Sequence, residues 1–307
     1  MIQLNSKTNY LDFFSLKALI YIFSYPIILI ISRLPFSVIY IISDIVCFIL
    51  YKILGYRKDI VKSNLRLVFP KYSSGQLNKI EKAFYVHLCD IFLEIIKSLG
   101  MSKKEMINRF KIKNIEVLKK FEKENRSIFL ICGHYGSWEW MMSLGYHIKH
   151  KGIGIYRPIK NPYFDRLIKK IRSKHNAQMI PQKNAIEIIK ENELKRELGI
   201  YGFASDQSPR PKNKTYWRNF LGINVPVYSG AEILAQELNI PVVFSKINRT
   251  RRGFYEVEFI LISDNPKKTK ENEIIDTFYD LLEKQILKDP KQYYWIHKRF
   301  KYAKLDS

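Results

Sequence analysis

From residue 127 onward the chain switches repeatedly between short apolar runs and longer amphipathic segments, and this alternation restricts the fold more than any other feature. "SIFLIC" (127–132), "GIGIYR" (152–157), "AQMIP" and "ELGIYGFAS" (197–205) are short apolar runs bounded by turn residues, the pattern of buried strands. Between them, "SWEWMMSLGYHIKH" (137–150), "NPYFDRLIKKIRSKH" (161–175), "NAIEIIKENEL" and "YSGAEILAQEL" (228–238) read as helices. Asn161 is placed to cap its helix with Pro162 at the first helical position, and Ser229 is placed to cap a later one. "PVVFSKIN" and "FYEVEFILI" read as the adjacent strands of a hairpin, and "ENEIIDTFYDLLEKQILKDP" as a long helix ended by Pro290. Strands alternating with helices predict an α/β fold, a mainly parallel mixed sheet flanked by helices. Ligands of such sheets gather at the carboxyl ends of the strands.

Upstream, residues 76–99 place Leu77, Ile80, Phe84, Leu88, Ile91, Ile95 and Leu99 at spacings of three and four, an amphipathic helix. His87 lies beside that stripe and reads as a packed core histidine. Farther upstream, "ALIYIFSYPIILII" (18–31) carries no charge, and "LPFSVIYIIS" and "IVCFILYKIL" follow it. A bilayer-spanning helix needs about 20 apolar residues, and Pro26 and Pro35 interrupt the runs. Three readings stay open: a single kinked anchor over residues 15–32 followed by an interfacial helix, two helices that dip into the membrane, or the buried helical hairpin of a soluble protein. A cleaved signal peptide is disfavoured, because no small-residue cleavage site follows the first run. The chain therefore divides into a hydrophobic membrane-associated helical segment, residues 1–55, and an α/β domain, residues 56–307. The basic flank "GYRKDIVKSNL" puts the body on the cytoplasmic side.

Lys and Arg number 52 against 29 Asp and Glu, a formal net charge of +23. That excess favours an anionic partner: an acidic protein, a phosphorylated substrate, an anionic membrane or nucleic acid. No zinc-finger, helix-turn-helix or RNP pattern supports the last of these. Cys47, Cys89 and Cys132 are scattered among apolar residues, so neither a disulfide framework nor a zinc site is expected. Dinucleotide and phosphate-loop glycine fingerprints, HExxH and GxSxG are likewise missing from the sequence. Neither a metal nor a cofactor is called for. His147, His150 and His175 read as surface histidines, and "RTRR" (249–252) most simply as solvated surface.

The chemistry gathers at "GHYGSWE". His134 stands just past the end of the "SIFLIC" strand, between Gly133 and Gly136. Glu139 follows in the first turn of the next helix, where the helix N-terminus favours a carboxylate. On one continuous helix, residues five apart sit about 140° apart and do not meet. With His134 in the loop and Glu139 in the helix, they can. Glu139 is then expected to hold the imidazole tautomer and stabilise the imidazolium. No Ser, Thr or Cys is obviously paired as a nucleophile, although Ser137 stays open. Direct attack by a substrate hydroxyl, with His134 as general base, is the favoured reading. Taken alone, the spacing is equally a turn followed by a helix cap.

"GHYGSWE" resembles the HxxxxD/E motif of glycerolipid and lipid A acyltransferases. "YRPIKNPYFDRLIKKIRSK", "FASDQSPRP" with "FLGINVPVYSGAEILAQELNIPVV", "QYYWIHKRFK" and the early "VKSNLRLVFP" resemble further blocks of the late lipid A acyltransferases. The blocks stand in family order from about residue 15 to residue 301. The resemblance implies a glycerolipid-acyltransferase-like fold with an N-terminal anchor at the inner membrane. It implies transfer of a fatty acyl chain from acyl carrier protein to a hydroxyl of a phosphorylated lipid A precursor. It carries His134 and Glu139 over as the catalytic pair, Arg157 as an arginine for phosphate or oxyanion contact, and Asp206 and Gln207 as pocket residues. The motifs do not separate lipid A from another membrane lipid as acceptor. "DQSPRPKNK" is shorter and richer in lysine than the family pattern, which leaves its acceptor contacts open.

Overall fold

The structure, a computed structural model, describes residues 15–304. Its centre is a seven-stranded sheet built from β1 (Phe110–Ile112), β2 (Ile128–Cys132), β3 (Lys151–Tyr156), β4 (Ala177–Pro181), β5 (Gly199–Ala204), β8 (Val242–Arg251) and β9 (Phe254–Ser263). The order across it is β1-β9-β8-β2-β5-β3-β4. All neighbours run parallel except β8 and β9, which form the hairpin the sequence predicts. β2 is central, between β8 and β5, and Ile128, Phe129 and Ile131 are fully buried. Burial on both faces explains its unbroken apolar sequence. Each such side chain contributes roughly 1.5–3 kcal/mol.

The helices follow their sequence signals closely. α4 (Ser74–Ser98) starts at a capping box in which Ser73 and Gln76 satisfy each other's backbone N–H groups. α7 (Pro162–Lys174) starts with the Asn161 side chain accepting from the Tyr163 N–H. α8 (Ala185–Leu194), α9 (Gly230–Leu238) and α10 (Glu273–Lys288) also fall where the apolar period places them. Ser229 precedes α9 but makes no side-chain cap bond. Short helices α3 (Lys58–Val68), α5 (Lys103–Arg109) and α6 (Glu116–Lys123) complete the body, with a two-stranded hairpin, β6 (Trp217–Phe220) and β7 (Ile223–Pro226).

Segment 137–150 departs from expectation. Trp138–Tyr146 is a 3₁₀ helix, not an α-helix. Trp140 is fully buried and donates its indole N–H to Ser98 Oγ, while the Ser143 hydroxyl takes up the Trp140 carbonyl at 2.7 Å. That serine bond three residues back favours the tighter winding. Two more readings are corrected. His150 and His175 are buried, because their ring nitrogens find partners: His175 meets Ser98 O and Tyr146 Oη, and His150 meets Arg126 O. Of the basic run 249–252, Arg249 and Arg252 are drawn inward to the buried Asp90 carboxylate.

Among the described residues, two helices are long and apolar enough to cross a membrane. They are α1 (Leu16–Arg33) and the stretch Phe36–Ile53, which is α2 (Phe36–Phe48) continued by a π-helical end. α1 runs on through Pro26, and Pro35 serves as the entry to α2. Both pack along α4, and their outer faces expose Phe23, Ile27, Ile30, Ile41, Ile45 and Phe48. The ends of α1 and α4 approach so closely that a Cβ on Gly100 would lie 1.9 Å from Ser32 O, so only glycine fits there.

Candidate active site

β2 ends at Cys132, β5 at Ala204 and β3 at Tyr156, all on the carboxyl edge of the sheet. His134 leaves that edge two residues after β2, and Asp206 two residues after β5. The parallel pairing of β2 with β5 brings them together, with His134 Nδ1 2.6 Å from Asp206 Oδ1. The Asp206 side chain is 3% exposed and the His134 side chain 17%, so the histidine is the reachable member. Nδ1 donates to the carboxylate, which leaves Nε2 as an acceptor. Gln207 Nε2 lies 3.3 Å from it.

The C-terminal segment holds the histidine loop in place. Gly136 N–H donates to Gln292 O and Tyr294 N–H to His134 O, and Tyr135 bridges Tyr293. Gly136 has φ +58°, and a Cβ there would press on Ile247. The second glycine of the motif is therefore required by its backbone. The Trp138 and Tyr294 rings pack on the imidazole with centroids at 5.2 and 5.9 Å. The closing block "QYYWIHKRFK" thus forms one wall of the site.

Glu139 occupies a different position from the one its spacing suggests. The 3₁₀ winding turns it towards α7, where Arg172 grips it through two bonds of 2.9 and 2.6 Å. His134's hydrogen-bonded carboxylate is that of Asp206, and Glu139 acts on the imidazole through its nearby charge. Arg157, one residue past β3, is exposed on the same sheet edge. Sequence reasoning missed Arg172. The available signal is that Phe164, Ile168 and Arg172 stand four apart, which sets an arginine on the packed stripe of α7.

Burial opposes charge on His134, but the Asp206 charge and hydrogen bond, with the Glu139 charge, outweigh it and hold the imidazole above its ordinary value. Burial likewise opposes charge on Asp206, and the His134 imidazole and backbone N–H, with Arg299 beyond, hold that carboxyl below its usual range. Burial and the Asp206 and Glu139 charges push the Cys132 thiol up to about 12, so it stays protonated. Among the described residues, no Ser, Thr or Cys side chain hydrogen-bonds His134, and no cluster could hold a metal ion. The arrangement is a partly exposed imidazole oriented by a buried carboxylate, with no Ser, Thr or Cys partner among the described residues.

Residues 12–302 match the family described as bacterial lipid A biosynthesis acyltransferase. The chain is 24% identical over 274 residues to the lipid A biosynthesis palmitoleoyltransferase of Escherichia coli, covering 88% of this chain and 87% of that protein. It is 28% identical over 252 residues to a lipid A biosynthesis acyltransferase of Haemophilus influenzae, covering 80% and 78%. Against the Escherichia coli lipid A biosynthesis lauroyltransferase it is 23% identical over 270 residues, covering 88% and 87%. With a family match across nearly its whole length, the chain belongs to the bacterial lipid A biosynthesis acyltransferases.

Proposed function

We infer that this acyltransferase moves a fatty acyl chain from acyl carrier protein onto a hydroxyl of a phosphorylated lipid A precursor, with His134 as the general base. The observation that carries the reading is the bond from His134 Nδ1 to Asp206, which fixes the tautomer and leaves Nε2 free to accept a proton. The substrate hydroxyl takes the place of the Gln207 amide at Nε2. As its oxygen attacks the thioester carbon, Nε2 takes its proton. The tetrahedral oxyanion then collapses, the carbon–sulfur bond breaks, and the imidazolium returns the proton to the departing thiolate. Asp206 stabilises the imidazolium directly and Glu139 does so through its charge. Arg172, held by Glu139, and the backbone N–H groups at the start of the 3₁₀ helix are the candidate oxyanion donors. Exposed Arg157 suits a phosphate of the acceptor.

The net charge of +23 suits two anionic partners, an acidic carrier protein and a phosphorylated lipid. Residues 1–55, of which 1–14 lie outside the described residues, are read as the membrane-associated segment and residues 56–307, of which 305–307 lie outside them, as the catalytic domain, on the cytoplasmic side of the inner membrane. The outward apolar faces of α1 and α2 support that placement.

The test incubates purified protein with acyl carrier protein or coenzyme A thioesters and either a tetra-acylated lipid A precursor or a lysophospholipid. Transfer from the carrier protein to the lipid A precursor is expected, and His134→Ala should lower the rate by about 10³-fold or more. Full activity in His134→Ala would sink the mechanism. Transfer only from coenzyme A, or only to the lysophospholipid, would overturn the donor or the acceptor.

A further inference from the structure

Among the described residues, Arg299 has no carboxylate in hydrogen-bond contact, yet it is only 2% exposed. Its Nη1 donates to Ser208 Oγ at 2.9 Å and to Pro226 O at 3.3 Å, and Ser208 Oγ in turn donates to Arg299 O. Its Nη2 donates to Tyr279 Oη at 3.2 Å, and that hydroxyl donates to Ser205 O at 3.0 Å. The guanidinium also stacks near the Phe220 and Tyr279 rings, and its Nε–H is buried without a partner among the described residues. A buried cation costs several kcal/mol unless an anion compensates it. Both ends of its hydrogen-bond reach fall on one short loop, residues 205–208, and between them lie Asp206 and Gln207.

We propose that Arg299 is a positioning residue for the reaction, clamping the loop at Ser205 and Ser208 and setting its positive charge behind the Asp206–His134 pair. The inference rests on the proposed roles of His134 and Asp206. Titratable groups reach the pair from each element packed around it. From the end of β2 come His134 itself and the protonated Cys132. From the C-terminal segment come Tyr293, whose hydroxyl faces Asp206, and His297, which burial holds below its ordinary value. α10 contributes Tyr279, with Arg218 of β6 acting on it, and Glu139, paired with Arg172, adds a negative charge that favours the imidazolium. Arg299 is the fixed positive charge that acts directly on Asp206. The pair is negative when His134 is neutral and neutral when His134 is protonated, so a nearby cation opposes uptake of the proton. Removing the cation makes the pair hold its proton more tightly and shifts the onset of activity to higher pH.

The experiment records kcat/KM against pH for wild type, Arg299→Met, Arg299→Lys and Ser208→Ala. It also follows the titration of the His134 imidazole by NMR in each. In wild type the rate should rise with pH through an acid limb above the ordinary histidine value of 6.5. In Arg299→Met the limb and the imidazole titration should move up together by about one pH unit, and kcat should fall roughly ten- to a hundredfold. Arg299→Lys and Ser208→Ala keep the charge and loosen the clamp, so kcat should fall while the limb stays in place. An Arg299→Met limb that overlays the wild-type limb overturns the proposal. So does a Ser208→Ala or Arg299→Lys limb that moves, which decides the matter even if the methionine variant does not fold. If the wild type transfers no acyl chain, the functional reading fails, and the NMR titration still reads the effect of Arg299 on the pair.

Discussion

Two buried ionic clusters among the described residues differ in what they offer a substrate. Beneath α2, the fully buried Asp90 carboxylate is closed off by Arg249 and Arg252, each at 2.7 Å, and by the Ser43 hydroxyl at 2.6 Å. Beside it, Glu94 accepts from the hydroxyls of Tyr40 and Tyr255, and burial with the Asp90 charge pushes it up to about 7. At the sheet edge, Asp206 is nearly as buried, but its direct partner is an imidazole with one open nitrogen. An arginine keeps its proton throughout the working pH range, and Glu94, although titratable, is fully buried, so the first cluster offers a substrate no reachable atom that gives up or takes a proton. An imidazole can both hold its place and pass a proton on. Buried charge alone does not mark a functional site; a titratable partner with a reachable atom does.

The sharpest way to break this comparison is to neutralise each buried aspartate. Asp206→Asn leaves the shape of the site intact but removes the charge that selects the Nδ1–H tautomer. The rate should fall by about 10³–10⁴-fold, with a smaller loss of stability because the buried Arg299 loses its nearby anion. Asp90→Asn should do the opposite. It leaves Arg249, only 12% exposed, without its carboxylate, while the more exposed Arg252 keeps Asp44, at a cost of about 1–3 kcal/mol in stability. The folded fraction should still turn over at close to the wild-type kcat. Denaturant melts alongside single-temperature rates separate the two. Equal losses of rate in both variants would erase the distinction.

The sequence carried the strand–helix alternation because the apolar period is a local property, and β2, β5 and α7 stand where it puts them. It carried His134 because a histidine between two glycines at a strand end is also local. It did not carry the partner of His134. The bond to Asp206 comes from the parallel pairing of β2 with β5, across 72 residues of chain, and no spacing within the motif encodes it. Glu139 was misplaced for a different reason. Its direction depends on α- or 3₁₀-winding, which is settled by the contacts of Trp140 and Ser143 in the core. Arg249 and Arg252 looked like surface because the buried acid that draws them in lies on α4, 159 and 162 residues away.

The Glu139–Arg172 pair stands between the two clusters in character and yields the smallest effect. Its side chains are 13% and 17% exposed, its partner is an arginine, and yet it borders the imidazole. If it acts as Asp90 does, Glu139→Gln and Arg172→Met should each cost stability and leave kcat alone. If Arg172 faces the oxyanion and Glu139 aims it, each single variant should lower kcat roughly ten- to a hundredfold with KM little changed. The double variant should then be no worse than the worse single, with a coupling energy of about 1–3 kcal/mol in the activation barrier. We expect the second outcome, because the two-bond grip of 2.9 and 2.6 Å fixes the plane of the guanidinium, a constraint that plain charge neutralisation does not need. Additive losses in kcat would show that the two residues act separately and would return Glu139 to a purely electrostatic role beside His134.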